Sequence, residues 1–216
     1  MNFTKKNLHV EKKKIGLLFG SFNPVHVGHL IIAETMSDLV HIKEVWLVVS
    51  PHNPLKDKRN LLNQHDRLHL VRLAVQDNPH LRASSIEFGL PRPSYTIDTL
   101  AHLYEQYPDH DFELIMGEDN LAHFHKWKNY EQILKYHRLL VYPRPGCQTP
   151  DHYRQHPQIT WVNAPLLDIS ATYIRERLKN RCSIRYLVPN EVAEYIASTG
   201  WWRTNKASSE AQNIGK

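Results

Sequence analysis

The chain has 216 residues, of which 41% are hydrophobic and 23% charged, a composition that suits a folded domain and excludes a disordered protein or a disulfide-stabilised miniprotein. No apolar segment approaches the ~20 residues that cross a bilayer, and Cys147 and Cys182 lack the spacing of a zinc site, so we expect a cytoplasmic protein that binds no membrane. The net charge of +5 lies in the tails, because residues 1–14 carry +4 and residues 203–216 carry +2, and we therefore expect no binding of nucleic acid.

The first predicted elements are a buried strand at residues 15–19, a polar turn that contains proline, and a helix that starts near Gly28. Apolar residues on this helix recur at helical spacing and would cover one face of a sheet. They are Ile32, Met36, Leu39 and Val40.

Strands and helices alternate along the rest of the chain. This pattern pairs strands in parallel through right-handed crossovers, with ligands bound at the carboxyl ends of the strands. We therefore predict an α/β fold, a Rossmann-like doubly wound parallel sheet with a C-terminal helical segment. The further predicted strands are 45–49, 81–86, 112–116, 138–142 and 159–162, and the further helices are 64–77, 96–107, 130–134, 170–179 and 189–198.

The predicted organisation is a single domain with two tails. Residues 1–14 form a basic N-terminal tail, residues 15–202 form the domain, and residues 203–216 form a polar C-terminal tail. Within the domain, the segment 50–63 is long, charged and without a hydrophobic period, so we expect a mobile loop.

A segment rich in glycine and histidine occupies residues 20–29, between the first predicted strand and the first predicted helix. Its sequence is G-S-F-N-P-V-H-V-G-H. Gly20 and Gly28 permit close approach of a phosphate, and the helix N-terminus supplies N–H groups and a positive dipole end. His26 and His29 add hydrogen bonds or charge. Two surface histidines are the alternative in a chain with 15 of them, but the position after a strand favours a nucleotide site.

This segment resembles the G-x-F-D-P-x-H-x-G-H pattern of the nucleotidylyltransferase superfamily. A second segment, I-S-A-T-Y-I-R at 169–175, is similar to the I-S-x-T-x-I-R element of that superfamily and lies about 140 residues further along. The resemblance implies that His26, His29, Lys56 and Arg175 are catalytic. It also implies that ATP is bound by Gly20, Ser21, Phe22, Gly28, Gly117, Asp119, Ile169 and Ser170.

A third segment, P-S-Y-T-I-D-T-L at 93–100, resembles the nicotinate-nucleotide adenylyltransferases of bacterial NAD synthesis, and the resemblance covers residues 15–200. It implies adenylyl transfer from ATP to nicotinate mononucleotide, with Mg²⁺ carried by ATP and no metal-ligand set of the chain's own. The residues implied in binding the nicotinate nucleotide are Ser94, Tyr95, Thr96 and Trp127. Without the resemblance, Trp127 could equally be a partly buried core residue.

The sequence departs from the family pattern at Phe19, Asn23, Leu55 and Lys128. Leu55 replaces a histidine of the 50–63 loop and leaves Lys56 as the best phosphate contact there. Lys128 follows Trp127 where tyrosine is common.

Three alternatives stay open beside this interpretation. The acceptor could be nicotinamide mononucleotide or another phosphomonoester such as phosphopantetheine. Class I aminoacyl-tRNA synthetases share H-x-G-H, but no K-M-S-K-S follows in this chain. A non-enzymatic module could dock on acidic surfaces through its N-terminal lysines. The sequence also leaves open whether the chain forms a homo-oligomer.

Overall fold

The computed structural model describes residues 12–39, 41–51 and 61–203. Its centre is a six-stranded parallel sheet in the order β3-β2-β1-β4-β5-β6. The chain runs outward from β1 to β3, then returns to place β4 on the other side of β1, so the strand order reverses between β1 and β4. This confirms the predicted doubly wound fold. The strands are β1 (Lys13–Gly20), β2 (Glu44–Val49), β3 (Leu81–Ser84), β4 (His110–Gly117), β5 (Leu139–Tyr142) and β6 (Ile159–Trp161).

Helices connect the strands and cover both faces of the sheet. Those of ten residues or more carry most of the predicted apolar stripes, whereas the shortest ones follow β4 and β5 and have no sequence prediction. The helices are α1 (Val27–Ser37), α2 (Gln64–Val75), α3 (Thr96–Gln106), α4 (Glu118–Ala122), α5 (Tyr130–Tyr136), α6 (Asp151–Arg154), α7 (Ala171–Lys179) and α8 (Asn190–Thr199).

Two hydrophobic cores lie on the two faces of the sheet, and successive strand residues alternate between them, as the two-residue period of a strand requires. In β2, Leu47 points to the core beneath α1, α2, α7 and α8, whereas Val48 points to the core beneath α3 to α6. Both side chains are fully buried. Burial on both faces explains why the strands read as continuous apolar runs.

The first strand is longer than predicted. It begins at Lys13, so the last two residues of the predicted basic tail pair with β4, and the Lys13 ammonium lies 2.8 Å from the Glu44 carboxylate. It ends at Gly20, which pairs with Val49 of β2. The glycine of the first motif is therefore the last residue of the strand.

Two predicted boundaries are wrong. The third strand ends at Ser84, and Ile86–Gly89 forms a 3₁₀ turn that buries the Glu87 side chain. The first helix ends at Ser37, and Leu39 lies in the turn that follows, where its N–H donates to the Met36 carbonyl. The Leu39 side chain still packs against the core that α1 covers. Apolar spacing marks which residues face a core but not where the helix stops.

Some predictions fall outside the described residues, namely those for most of the two tails (residues 1–11 and 204–216), for Val40, and for most of the 50–63 loop with Leu55 and Lys56. Across the described ranges, no helix is both long and apolar enough to span a bilayer.

Candidate active site

The loop between β1 and α1 is built around a close contact between Gly20 and Phe22. A Cβ atom on Gly20 would lie 2.8 Å from the Phe22 ring, which is 2% exposed. Phe22 has a φ of 45°, in the left-handed region. The glycine that the sequence assigns to phosphate approach is thus also required by the folding of the loop onto itself.

His26 and His29 lie together at the N-terminus of α1. Their rings stack with centroids 3.6 Å apart, and the His26 N–H donates to Nδ1 of His29 at 3.2 Å. A Cβ on Gly28 would lie 3.1 Å from the His26 ring, so glycine leaves room for the stack. Because Nδ1 of His29 accepts this bond, a neutral His29 ring carries its proton on Nε2 and presents a donor there.

The His26 ring is neutral at physiological pH. It is 6% exposed, and burial lowers its pKa to about 4, with a further lowering by the positive charge of Arg144. His26 can therefore offer hydrogen bonds and packing, but positive charge for a phosphate has to come from other residues.

Arg175 of α7 supplies positive charge next to the same loop. Its Nη1 donates to the Asn23 carbonyl at 2.8 Å, and its Nη2 donates to Oγ1 of Thr172 at 3.0 Å. Burial lowers its pKa. Ser170 is the N-cap of α7, with Oγ accepting from the Tyr173 N–H at 3.2 Å. The second motif thus contacts the first through the bond from Arg175 to Asn23.

A second cluster of charge lies where β4 and β5 end. Gly117 caps α4, and a Cβ there would collide with Oδ1 of Asp119. Asp119 is half-exposed in the first turn, and its Oδ1 lies 3.8 Å from Nε of Arg144. The buried Glu118 carboxylate accepts the Arg144 N–H at 3.1 Å and the Thr149 hydroxyl at 2.9 Å, which fixes the segment after β5.

Sequence inspection missed Arg144. Its charge reaches both His26 and Asp119, so it belongs to the same end of the molecule as the first motif. The sequence signal that could have found it is its position two residues after β5, at the carboxyl edge of the sheet, where ligands bind in this type of fold.

The residues implied in nicotinate binding surround the start of α3. Tyr95 is the N-cap, 39% exposed, and the ammonium of Lys128 lies 4.8 Å from the centre of its ring. Lys128 also pairs with both carboxylate oxygens of Asp98, at 2.8 and 3.0 Å. Lys128 thereby brings the neighbourhood of Trp127 to the start of α3. Trp127 itself is half-buried, with its ring centroid 5.3 Å from that of Phe124.

Beneath these residues lies the buried carboxyl group of Glu87. Its Oε1 accepts the Thr99 hydroxyl at 2.8 Å. Burial raises its pKa, although the hydroxyls of Thr99, Ser50 and Ser94 lower it in part. This carboxyl group is bonded to the third motif through Thr99.

Comparisons with known proteins identify the family of the chain. The family model described as cytidylyltransferase-like matches residues 17–177. A protein of Flavobacterium psychrophilum is 51% identical over 88% of this chain and 99% of its own length, and one of Cytophaga hutchinsonii is 54% identical over 88% and 98%. Both carry the name probable nicotinate-nucleotide adenylyltransferase.

A solved structure shares the fold. The Plasmodium falciparum nicotinic acid mononucleotide adenylyltransferase, complexed with NaAD, has a TM-score of 0.75 and 20% identity over 88% of this chain and 97% of its own. The likeness to this structure shows the fold alone, whereas the 51% and 54% identity to the two bacterial relatives shows the family. The chain belongs to the cytidylyltransferase-like family and, within it, to the nicotinate-nucleotide adenylyltransferases.

Proposed function

We propose that the chain transfers the adenylyl group of ATP to nicotinate mononucleotide, producing nicotinate adenine dinucleotide and pyrophosphate. Family membership supports the reaction. The main structural observation in support of this reaction is the stacked pair His26 and His29 at the N-terminus of α1. Arg175 is bonded to the same loop.

In this reaction a phosphate oxygen of nicotinate mononucleotide attacks the α-phosphorus of ATP. The new P–O bond forms as the bond from the α-phosphorus to the bridging oxygen breaks, and pyrophosphate leaves with the electron pair. The substrate brings its own nucleophile, so the chain needs no covalent intermediate. Its task is to align two polyanions and to stabilise the charge that grows on the leaving group.

The proposed catalytic groups divide this task between hydrogen bonds and charge. His29 donates from Nε2 and His26 packs behind it as a neutral ring. Arg175 supplies positive charge, and Lys56, outside the described residues, remains a proposed second source. We add Arg144 to this set, because its charge already acts on His26.

The remaining proposed residues bind the two nucleosides. ATP is held along the carboxyl edge of the sheet, where Asp119 offers a carboxylate to a ribose hydroxyl. Its proposed contacts are Gly20, Ser21, Phe22, Gly28, Gly117, Asp119, Ile169 and Ser170. The nicotinate nucleotide is held at the start of α3, with the Trp127 indole stacked on the pyridine ring and Ser94, Tyr95 and Thr96 beside it.

We propose that Mg²⁺ arrives as a complex with the triphosphate of ATP and is therefore part of the substrate. It would neutralise part of the triphosphate charge. The cytoplasm is the proposed site of action, which suits the two unpaired cysteines Cys147 and Cys182.

The test offers ATP and Mg²⁺ with nicotinate mononucleotide, nicotinamide mononucleotide and phosphopantetheine in parallel, and measures pyrophosphate and the adenylylated product. We expect the highest kcat/KM with nicotinate mononucleotide. A higher value with nicotinamide mononucleotide would reassign the acceptor, and no pyrophosphate from either pyridine nucleotide would overturn the proposal.

A further inference from the structure

Arg67, in the first turn of α2, is a buried cation that the proposed reaction does not use. Its side chain is 0% exposed, an unusual position for a charged residue. The guanidinium donates to four backbone carbonyls: from Nε to Leu62 at 3.0 Å, from Nη1 to Ser21 at 2.6 Å and to Ser50 at 2.8 Å, and from Nη2 to Pro51 at 2.9 Å.

These carbonyls belong to three separate segments at one edge of the sheet. Ser21 directly follows β1, Ser50 and Pro51 directly follow β2, and Leu62 precedes α2. The carboxyl ends of β1 and β2 are therefore joined through one side chain, at the edge where ligands bind in doubly wound folds.

The contact with Ser21 fixes the direction of a neighbouring N–H group. The peptide bond between Ser21 and Phe22 is trans, so its C=O and N–H point in opposite directions. With the Ser21 oxygen directed at the buried guanidinium, the Phe22 N–H points away from Arg67. Within the described ranges, no residue accepts a hydrogen bond from this N–H. Backbone N–H groups in such loops bind phosphate oxygens.

Arg67 also leaves positive charge beneath this loop. Burial lowers its pKa to about 10, so the group is still protonated at neutral pH. In the part of the chain that the structure describes, its hydrogen-bond partners are the four carbonyls, and none is a carboxylate. Carbonyl dipoles offset part of the cost of burying a charge, but they do not neutralise it.

We propose that Arg67 is a positioning residue for phosphate binding. It holds the Ser21 carbonyl inward so that the Phe22 N–H faces the substrate phosphates, and their negative charge balances the buried guanidinium. The inference rests on the proposed function for its substrates, but not on which pyridine nucleotide is the acceptor.

The first test replaces Arg67 with lysine, which keeps the charge but has only three donors and no planar fork. Arg72→Lys, at an exposed position of the same helix, is the matched control. We measure kcat/KM per folded molecule, and the rise in Tm that inorganic tripolyphosphate produces. For Arg67→Lys we expect kcat/KM to fall roughly tenfold to 100-fold, as for loss of hydrogen bonds to a charged group, and a smaller tripolyphosphate effect.

A purely structural role predicts a different result. Arg67→Lys would then lower the Tm but keep the parental kcat/KM and the parental response to tripolyphosphate, which would overturn the proposal. Arg72→Lys should match the parent in every measurement.

The second test separates charge from hydrogen bonding in Arg67→Ala. Guanidinium chloride and urea are added at equal millimolar concentrations, far below those that denature proteins. Both molecules are planar and donate hydrogen bonds, but only guanidinium is charged. We expect partial recovery of kcat/KM with guanidinium alone. Equal recovery with urea would overturn the role given to charge, and if the alanine variant does not fold, Arg67→Lys decides the matter.

Tripolyphosphate binding requires no turnover, so failure of this inference is distinguishable from failure of the proposed function. A parent that forms no dinucleotide overturns the function and leaves the tripolyphosphate comparison valid. A parent whose Tm does not respond to tripolyphosphate overturns the inference about Arg67 even if dinucleotide is formed.

Discussion

The two ends of the candidate site are built in different ways. At the phosphate end, defined by His26, His29 and Arg175, the key groups are buried or half-buried and fixed by contacts between distant segments. At the pyridine end, defined by Tyr95, Trp127 and Lys128, the contacts lie at the surface, and the Lys128 and Asp98 side chains are 43% and 47% exposed.

This difference follows from what each end has to bind. Phosphates are strongly hydrated, so donors replace their water effectively only if they are already oriented when the substrate arrives. A flat ring can be held by stacking on an aromatic side chain, which needs area more than fixed donors. If this is correct, substitutions at the phosphate end should lower activity strongly, whereas the pyridine end should tolerate change.

The largest effect is expected for His29→Ala. Loss of one preorganised donor to a developing charge typically lowers kcat by about 10²- to 10³-fold. Steady-state kinetics and the Tm should be measured beside His80→Ala, an exposed histidine that precedes β3 at the opposite edge of the sheet. A folded His29→Ala enzyme with parental turnover would show that His29 is not part of the machinery.

A pH-dependent loss of stability is expected from His26. Its pKa is about 4 in the folded chain against 6.5 for an unperturbed histidine. Between these values the unfolded chain binds a proton that the folded chain does not, so the free energy of unfolding falls as the pH falls, by on the order of 3 kcal/mol in all.

Urea unfolding at pH 7 and pH 4.5 measures this effect as the difference between the parent and His26→Asn. The variant should lose less stability on acidification than the parent. Parallel losses in the two proteins would contradict burial of a neutral His26.

At the pyridine end, Trp127→Ala should raise KM for nicotinate mononucleotide selectively. Stacking on a base is typically worth ~1–3 kcal/mol, which corresponds to a rise of roughly five- to 150-fold. Because stacking acts equally in the ground and transition states, kcat and KM for ATP should change little.

Trp161→Ala is the control for Trp127→Ala, since Trp161 is also half-buried against the same core but lies on the edge strand β6. If Trp127 acts only in the core, both variants should lose Tm and neither should change KM selectively.

The smallest effect is expected for Lys128→Ala, which removes an exposed ion pair with Asp98. Such pairs contribute ~0.2–1 kcal/mol, so KM for nicotinate mononucleotide should change by less than about fivefold. Lys126→Ala, exposed two residues earlier, is the control. A rise in KM of more than tenfold in Lys128→Ala, but not in Lys126→Ala, would show that the pyridine end tolerates substitution as little as the phosphate end does.

Local sequence signals were enough to predict much of this architecture. Short apolar runs predicted the six strands, since a strand that is buried on both faces is apolar along its whole length. His26 and His29 could be placed at the N-terminus of α1 because a strand, a turn and a helix follow one another directly. These features depend on neighbours in the chain.

Features set by distant neighbours could not be predicted. Arg67 lies four residues into a helix with polar residues around it, where an arginine ordinarily faces solvent. Its burial depends on three carbonyls from two distant segments, those that follow β1 and β2. The third strand was likewise predicted to end at Ile86, where the chain instead forms a 3₁₀ turn whose buried Glu87 accepts the Thr99 hydroxyl. In both cases the local sequence pattern does not reveal the structure, because it depends on tertiary hydrogen bonds.

The contacts between the 20–29 motif and residues 175 and 187 affect when the protein becomes active during its synthesis. The Val27 N–H bonds to the Leu187 carbonyl at 3.0 Å, and Arg175 bonds to the Asn23 carbonyl at 2.8 Å. During translation, the histidine motif leaves the ribosome before these partners, and the last strand has been made once Trp161 has emerged. The partners that fix the motif are made afterwards, so we expect a nascent chain to gain its activity only after Leu187 has emerged. A chain that stops after residue 161 would contain all six strands but lack the residues that fix the motif, and we expect it to be inactive.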